Sequence, residues 1–164
     1  MLISLMPRDL SPESFSPYGQ VIYPTPDGKL CDRTDAQLDL SQGTPRFYLM
    51  QLEHRGLRFS RITRHQYCTQ CLGAIGGEDW YLGVAPPSTE FQPAPDAIQV
   101  FHMTGPCFIK LHKGTWHAGP YFEAARLTFY NLELSDTNLV DHTTHDFQRS
   151  TQPFEFVIEF SSSL

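Results

Sequence analysis

The chain has 164 residues, with 12 Lys and Arg against 18 Asp and Glu and a formal net charge of -6. With 40% hydrophobic and 18% charged residues, wholesale disorder is excluded and a core without disulfide staples is within reach. The acidic balance and the scatter of the basic residues argue against a nucleic-acid or anionic-membrane surface, and no apolar run reaches transmembrane length. The apolar stretch Met1 to Met6 stops at Pro7 and Arg8, too early for a signal peptide. The expectation is a cytoplasmic protein whose four cysteines are reduced thiols.

Phe and Tyr are plentiful, and 13 Pro and 11 Gly punctuate the chain, a composition that favours many short strands. Leu10-Ser-Pro-Glu-Ser-Phe15 predicts one helical turn, with Ser11 as its cap and Pro12 in the first position. Residues 20–23 read as extended. Residues 24–46 are rich in Pro, Gly, Asp, Gln and Thr and predict a long loop, either a lid over a barrel or a plain surface excursion. Strands are predicted over 47–53, 57–67, 80–84, 97–103, 107–112 and 126–134, with a glycine-marked bend at Gly73, Gly76 and Gly77. Residues 135–150 are polar and read as loop. Phe154, Phe156, Ile158 and Phe160 alternate with Glu155, Val157 and Glu159, which is the pattern of a half-buried strand. Ser161 to Ser163 reads as a frayed tail. No long helical stripe, internal repeat or linker is visible, so residues 1–164 are expected to form one all-β domain, a sandwich or barrel.

Two segments carry chemistry. In His112-Lys-Gly-Thr-Trp-His117, Gly114 permits a tight turn, and His112 and His117 flank it where a barrel mouth would lie. Imidazole suits both proton transfer near neutral pH and metal binding, Trp116 is placed to wall a pocket, and the alternative is a β-turn with two exposed histidines. In His65-Gln-Tyr-Cys-Thr-Gln70, His65 shares a strand face with Arg61, Thr63 and Tyr67. By itself such a histidine is more often a hydrogen-bonded structural residue. Cys68 and Cys71 form a single pair with no second pair, so a structural zinc site is not expected.

His65, Gln70 and a glycine-containing turn ending in His117 resemble a degenerate form of the two cupin motifs, with Thr63 in the place of the first histidine and Gln70 in that of the glutamate. More closely, the chain resembles the ureidoglycolate lyases, also called ureidoglycolate hydrolases. Phe15-Ser-Pro-Tyr-Gly-Gln-Val-Ile22 is similar to their Phe-x-x-Tyr-Gly-Asp-Val-Ile opening, and Gln42-Gly43 with Arg46-Phe47 to their Asn/Gln-Gly and Arg-Tyr/Phe-His. His65 through Gln70 is similar to His-Pro-x-x-x-Gln, and Trp116-His117 to a Trp-His that precedes a proline. The chain departs from the family pattern at Tyr48, Ala118 and Asn131-Leu-Glu-Leu134.

The resemblance implies a cupin-like double-stranded β-helix, or jelly-roll, barrel with a short N-terminal helical turn. It implies cleavage of ureidoglycolate to glyoxylate and urea in purine and allantoin nitrogen breakdown, with a small anionic metabolite as ligand and a homodimer as assembly. On this reading His65, His112 and His117 are the catalytic candidates, and Arg46, Gln70, Lys110 and Trp116 bind substrate. If a divalent metal such as nickel, manganese or zinc is held, its ligands are His65, Gln70 and His117. Two other readings stay open: a non-catalytic cupin that binds a small carboxylate or regulates, and a lyase or isomerase acting on a related acid.

Overall fold

The computed structural model describes residues 1–88 and 90–160; the tail expected at Ser161 to Ser163 lies outside them. In chain order the described elements are β1 (Leu2–Leu5), β2 (Arg8–Asp9), the helical turn α1 (Pro12–Phe15), β3 (Gly19–Ile22), β4 (Pro45–Glu53), β5 (Arg58–Phe59), β6 (Arg61–Arg64) and β7 (Gln70–Ala74). They continue with β8 (Trp80–Ala85), β9 (Gln99–Met103), β10 (Phe108–Leu111), β11 (Trp116–Tyr121), β12 (Arg126–Leu134), α2 (Thr137–Val140), β13 (Thr143–Asp146) and β14 (Glu155–Ile158).

Two large sheets face each other as a cupin-like barrel. One has the order β13-β6-β11-β8-β9-β2 and the other β3-β10-β7-β12-β4. A small sheet, β1-β14-β5, backs the first. Pairing is antiparallel apart from β1 with β14 and β2 with β9.

Alternation along the strands decides what fills the barrel. Leu72 and Ala74 of β7, Ile109 and Leu111 of β10, and Leu127 and Phe129 of β12 meet Trp80, Leu82 and Val84 of β8 and Phe101 and Met103 of β9 in one apolar cluster. The turn α1 feeds this cluster. Its capping box, Ser11 with Ser14, closes the turn and delivers Phe15 edge-on to Phe101, with ring centroids 5.2 Å apart. Burying a side chain of that size contributes about 1.5–3 kcal/mol. The opposite face of the six-stranded sheet carries a second cluster, in which Ile62, Tyr81, Trp116 and Ala118 pack under Phe59, Phe156 and Ile158 of the small sheet.

Several expectations are corrected. The predicted strand over 57–67 is broken into β5 and β6, because Phe59 leaves for the small sheet while Ile62 and Arg64 stay in the large one. Residues 135–150 are not simply loop: they form α2 and β13, and β13 extends the six-stranded sheet by pairing with β6. The long segment before β4, open in sequence between a lid and a surface excursion, packs along the five-stranded sheet. Gln20 holds it through Arg33 O, Asp35 O and the Gln37 amide, and Ala36 and Leu38 lie in an apolar groove with Phe47, Phe108 and Tyr130. That groove is on the outward face of the five-stranded sheet.

The small sheet docks closely because β8 has glycine at position 83. A Cβ there would lie 2.8 Å from the Phe59 ring, which stacks on Phe156 at 5.0 Å and on Tyr121 at 5.6 Å. Gly83→Val should therefore cost about 1–3 kcal/mol by overpacking. Urea unfolding checks this: the midpoint should fall with the slope unchanged, and an unaltered midpoint would show that the layer yields freely.

Candidate functional site

Where the apolar filling of the barrel stops, a cavity of about 320 Å³ opens between the two large sheets. Its polar character arises from the same strands that build the core. On β12 the inward positions run Leu127, Phe129, Asn131, Glu133, so the strand changes from apolar to polar as it leaves the core. On β7 the inward positions run from Gln70 at the cavity to Leu72 and Ala74 at the core. From the opposite sheet, β11 contributes His117 and β6 contributes Thr63 and Arg61, with His65 one residue beyond its end.

His65 and His117 face each other with ring centroids 5.0 Å apart, and His142 lies 5.6 Å from His65. Each of the first two is fixed through Nδ1 by a backbone carbonyl. His65 Nδ1 lies 2.5 Å from Asp141 O, and His117 Nδ1 lies 3.2 Å from Thr115 O. A carbonyl only accepts, so Nδ1 carries the proton in both rings and each Nε2 keeps its lone pair. The Asp141 carboxylate meanwhile accepts from the Gln66 and Tyr67 amides at 2.7 and 2.8 Å, which holds the turn after His65 in place.

The floor is a closed polar network. Gln70 Nε2 donates to Asn131 Oδ1 at 3.0 Å and to Glu133 Oε2 at 3.2 Å, and Asn131 Nδ2 donates to the Tyr48 hydroxyl at 2.9 Å. Gln70 Oε1 has no partner, one of three such buried side-chain atoms among the described residues and the one that belongs to the cavity. At the mouth stand Arg55 and Arg61. Arg55 Nη2 donates to Pro120 O at 3.4 Å, and Arg61 Nε donates to Asp146 Oδ2 at 3.2 Å.

The structure therefore brings together His65, His117 and Gln70 of the residues expected from sequence, and separates the others. Trp116 is fully buried on the opposite face of β11, in the second cluster, with the Arg64 guanidinium 4.5 Å above its ring. Neighbours on a strand point to opposite sides, so once His117 faces the cavity Trp116 cannot wall it. Lys110 alternates with the core residues Ile109 and Leu111 and so lies on the outer face of its sheet, where its Nζ meets His112 Nδ1 at 3.1 Å. His112 Nε2 in turn donates to Ser16 O at 3.2 Å, so this ring abuts only the closed end of the site, behind His65 and His117. Arg46 is exposed and stacks 3.7 Å over the Tyr48 ring at the rim. The cavity instead recruits Arg55, which sequence reasoning passed over, Asn131 and Glu133, which it noted only as departures from the family pattern, and Asn138 and His142, which it read first as part of a solvated loop. The polar end of the β12 alternation was the available sign for Asn131 and Glu133.

A family model described as ureidoglycolate lyase matches residues 2–152. No curated protein matches the chain. Among solved structures, a dTDP sugar isomerase from Desulfovibrio desulfuricans G20 superposes with a TM-score of 0.47 at 9% identity, over 79% of this chain and 81% of that one. No described helix is long and apolar enough to cross a membrane.

Burial sets the protonation of the histidine pair. His117 is held down to about 3, first by desolvation and then by the neighbouring His65. Part of its ring still faces the cavity, so water tempers the shift without reversing it. Desolvation also lowers His65, and the bond to Asp141 O acts against it. Both folded-state values lie below the ordinary 6.5. Below 6.5 the unfolded chain thus binds more protons than the native one, and stability drops as pH falls from neutral toward 3. The slope should approach ~1.4 kcal/mol per pH unit for each ring that must stay neutral. Thermal unfolding between pH 7 and 5 tests this, and His117→Gln should flatten the dependence; a melting temperature indifferent to pH in the wild-type chain would contradict it.

Proposed function

The chain belongs to the ureidoglycolate lyase family, matched over residues 2–152, and from that premise we propose that the cavity cleaves ureidoglycolate to glyoxylate and urea through the His65–His117 pair. The observation that carries the proposal is the pair itself: two neutral imidazoles, 5.0 Å apart, each with an unprotonated Nε2, inside a cavity that has arginines at its mouth.

Ureidoglycolate carries a hydroxyl, a carboxylate and a ureido nitrogen on one carbon. Cleavage moves the hydroxyl proton to a base, forms the aldehyde, breaks the C–N bond and returns a proton to the departing nitrogen. A ring with a free Nε2 accepts the first proton and, as imidazolium, supplies the second. The substrate's own charge helps, because an anion beside a desolvated imidazole raises its basicity. His117, which projects into the cavity from β11, is assigned the proton transfer and His65 the partner role. Arg61, on the same strand face as Thr63 and His65, is assigned the carboxylate, with Arg55 as the second arginine of the cavity lining; Arg46 is not part of that lining.

A divalent ion of the nickel, manganese or zinc type would be held by His65 and His117, with the amide oxygen of Gln70 as a neutral third donor. Among the described residues no group of three or more His, Cys, Asp or Glu is arranged to hold one. Thr63, which stands where a cupin has histidine, has its hydroxyl engaged by Thr144 at 2.8 Å. When bound, such an ion supplies polarisation of the substrate hydroxyl. The exposed Phe47, Leu49 and Tyr130 on the outward sheet face support a homodimer as the assembly.

Supplying ureidoglycolate and following glyoxylate and urea tests the assignment. His117→Ala should lower kcat by roughly 10²–10⁴-fold, the usual contribution of a positioned acid–base. Arg61→Ala should chiefly raise KM, by about 10–100-fold for a lost charge-assisted contact. Glyoxylate binding without release of urea from the wild-type protein would replace the lyase by a binding module.

A further inference from the structure

Glu133 is the acid on the cavity floor that the proton transfers leave unused. It is 2% exposed, and its hydrogen-bond partners among the described residues are all neutral: Gln70 Nε2 at 3.2 Å, the Tyr48 hydroxyl at 3.4 Å and Asn138 Nδ2 at 3.5 Å. A buried carboxylate served by long, neutral hydrogen bonds is costly. It also dictates the polarity of everything around it. A carboxylate only accepts, so the Gln70 amide must present its NH₂ to Glu133 and Asn131, and its Oε1 is then left without a donor. Asn131 follows in the same sense, with Oδ1 toward Gln70 and Nδ2 toward Tyr48. The floor is thereby rich in acceptors, with the carboxylate oxygens of Glu133 and the orphan Oε1 of Gln70, while Asn138 Nδ2 at its edge is a donor.

A ureido group is the complement of that surface. It carries three N–H bonds and one carbonyl, whereas an N-acyl group in the same position has a single N–H and ends in carbon. We propose that Glu133, acting with the Gln70 it orients, is the specificity-determining element that reads the terminal NH₂ of the ureido group. It would thereby separate ureido carbinolamines from N-acyl carbinolamines of the same acid. The assignment rests on the lyase reading of the cavity and adds to it the basis of substrate choice. A site built to hydrogen-bond a polar group rejects the analogue that lacks it, because its own buried groups are left unpaired.

The test uses two substrates that undergo the same bond cleavage: ureidoglycolate, which yields glyoxylate and urea, and N-acetyl-2-hydroxyglycine, which yields glyoxylate and acetamide. The wild-type protein should prefer ureidoglycolate by about 10³-fold or more in kcat/KM. Glu133→Gln should lose about 10–100-fold on ureidoglycolate, the loss of one or two hydrogen bonds to a charged group, and change less than about threefold on the acetyl substrate. An equal loss on both substrates would make Glu133 a support of the fold and overturn the assignment, as would a wild-type protein that does not distinguish them. If the wild-type protein cleaves neither, the lyase reading fails and the assignment goes with it. Should Glu133→Gln not fold, product inhibition of the wild-type protein decides: urea should compete with ureidoglycolate at far lower concentration than acetamide, and equal inhibition would overturn the proposal.

Discussion

The polar end of this barrel hangs on Asp141. Its carboxylate gathers the Gln66 and Tyr67 amides, its own carbonyl receives the His65 ring, and its amide donates to Thr137 O at the end of α2. One buried residue thus ties the end of β6 to the segment that carries Asn138 and His142 to the cavity. The tautomer of His65 follows from the same joint, since among the described residues the ring has no other partner for Nδ1. Were the turn after His65 to drift, the carbonyl would lose the ring and the segment bearing His142 would lose its anchor.

Polar floors inside apolar barrels are expensive, and this one is kept affordable by connection. Asn131, Gln70, Tyr48 and Glu133 satisfy each other around a ring, and the deficit is confined to Gln70 Oε1. Placement does the rest. The ring sits where β7 and β12 pass out of the core, so Phe129 and Leu72 pack normally a residue pair away. A cavity that keeps two imidazoles neutral also keeps the number of buried charges small, which is the condition under which one carboxylate is tolerable.

The fold was legible wherever a strand alternates cleanly. Residues 126–134 and the Phe156 and Ile158 face of β14 declare their inner side outright. The resemblance paired His65 with His117 and the structure keeps the pair, but it also added His112, because sequence spacing alone does not say which side of a strand faces in. Alternation contained two corrections: Trp116 and His117 are adjacent and cannot share a face, and Lys110 lies between two core residues. What no periodicity could show is the α2–β13 segment. Its elements are only four residues each, and its polar residues look like any solvated loop until Asp141 is seen fastening them. The arginines escaped for a related reason. Arg55 lies between strands, and Arg61 is marked only by sharing a face with His65.

The parallel pairing of β1 with β14 carries a consequence for how the molecule comes into being. Leu2 to Leu5 lie beside Glu155 to Ile158, and β5 joins only on the far side of β14. On the ribosome the first strand therefore emerges long before its partner exists. Contacts of such sequence separation carry a large loop-closure cost and slow the search for the native state. The two main sheets are complete without this pairing, so the backing layer has the character of a late-closing latch, and Ile3, Leu5 and Phe59 are the apolar groups a nascent chain must keep from straying until then.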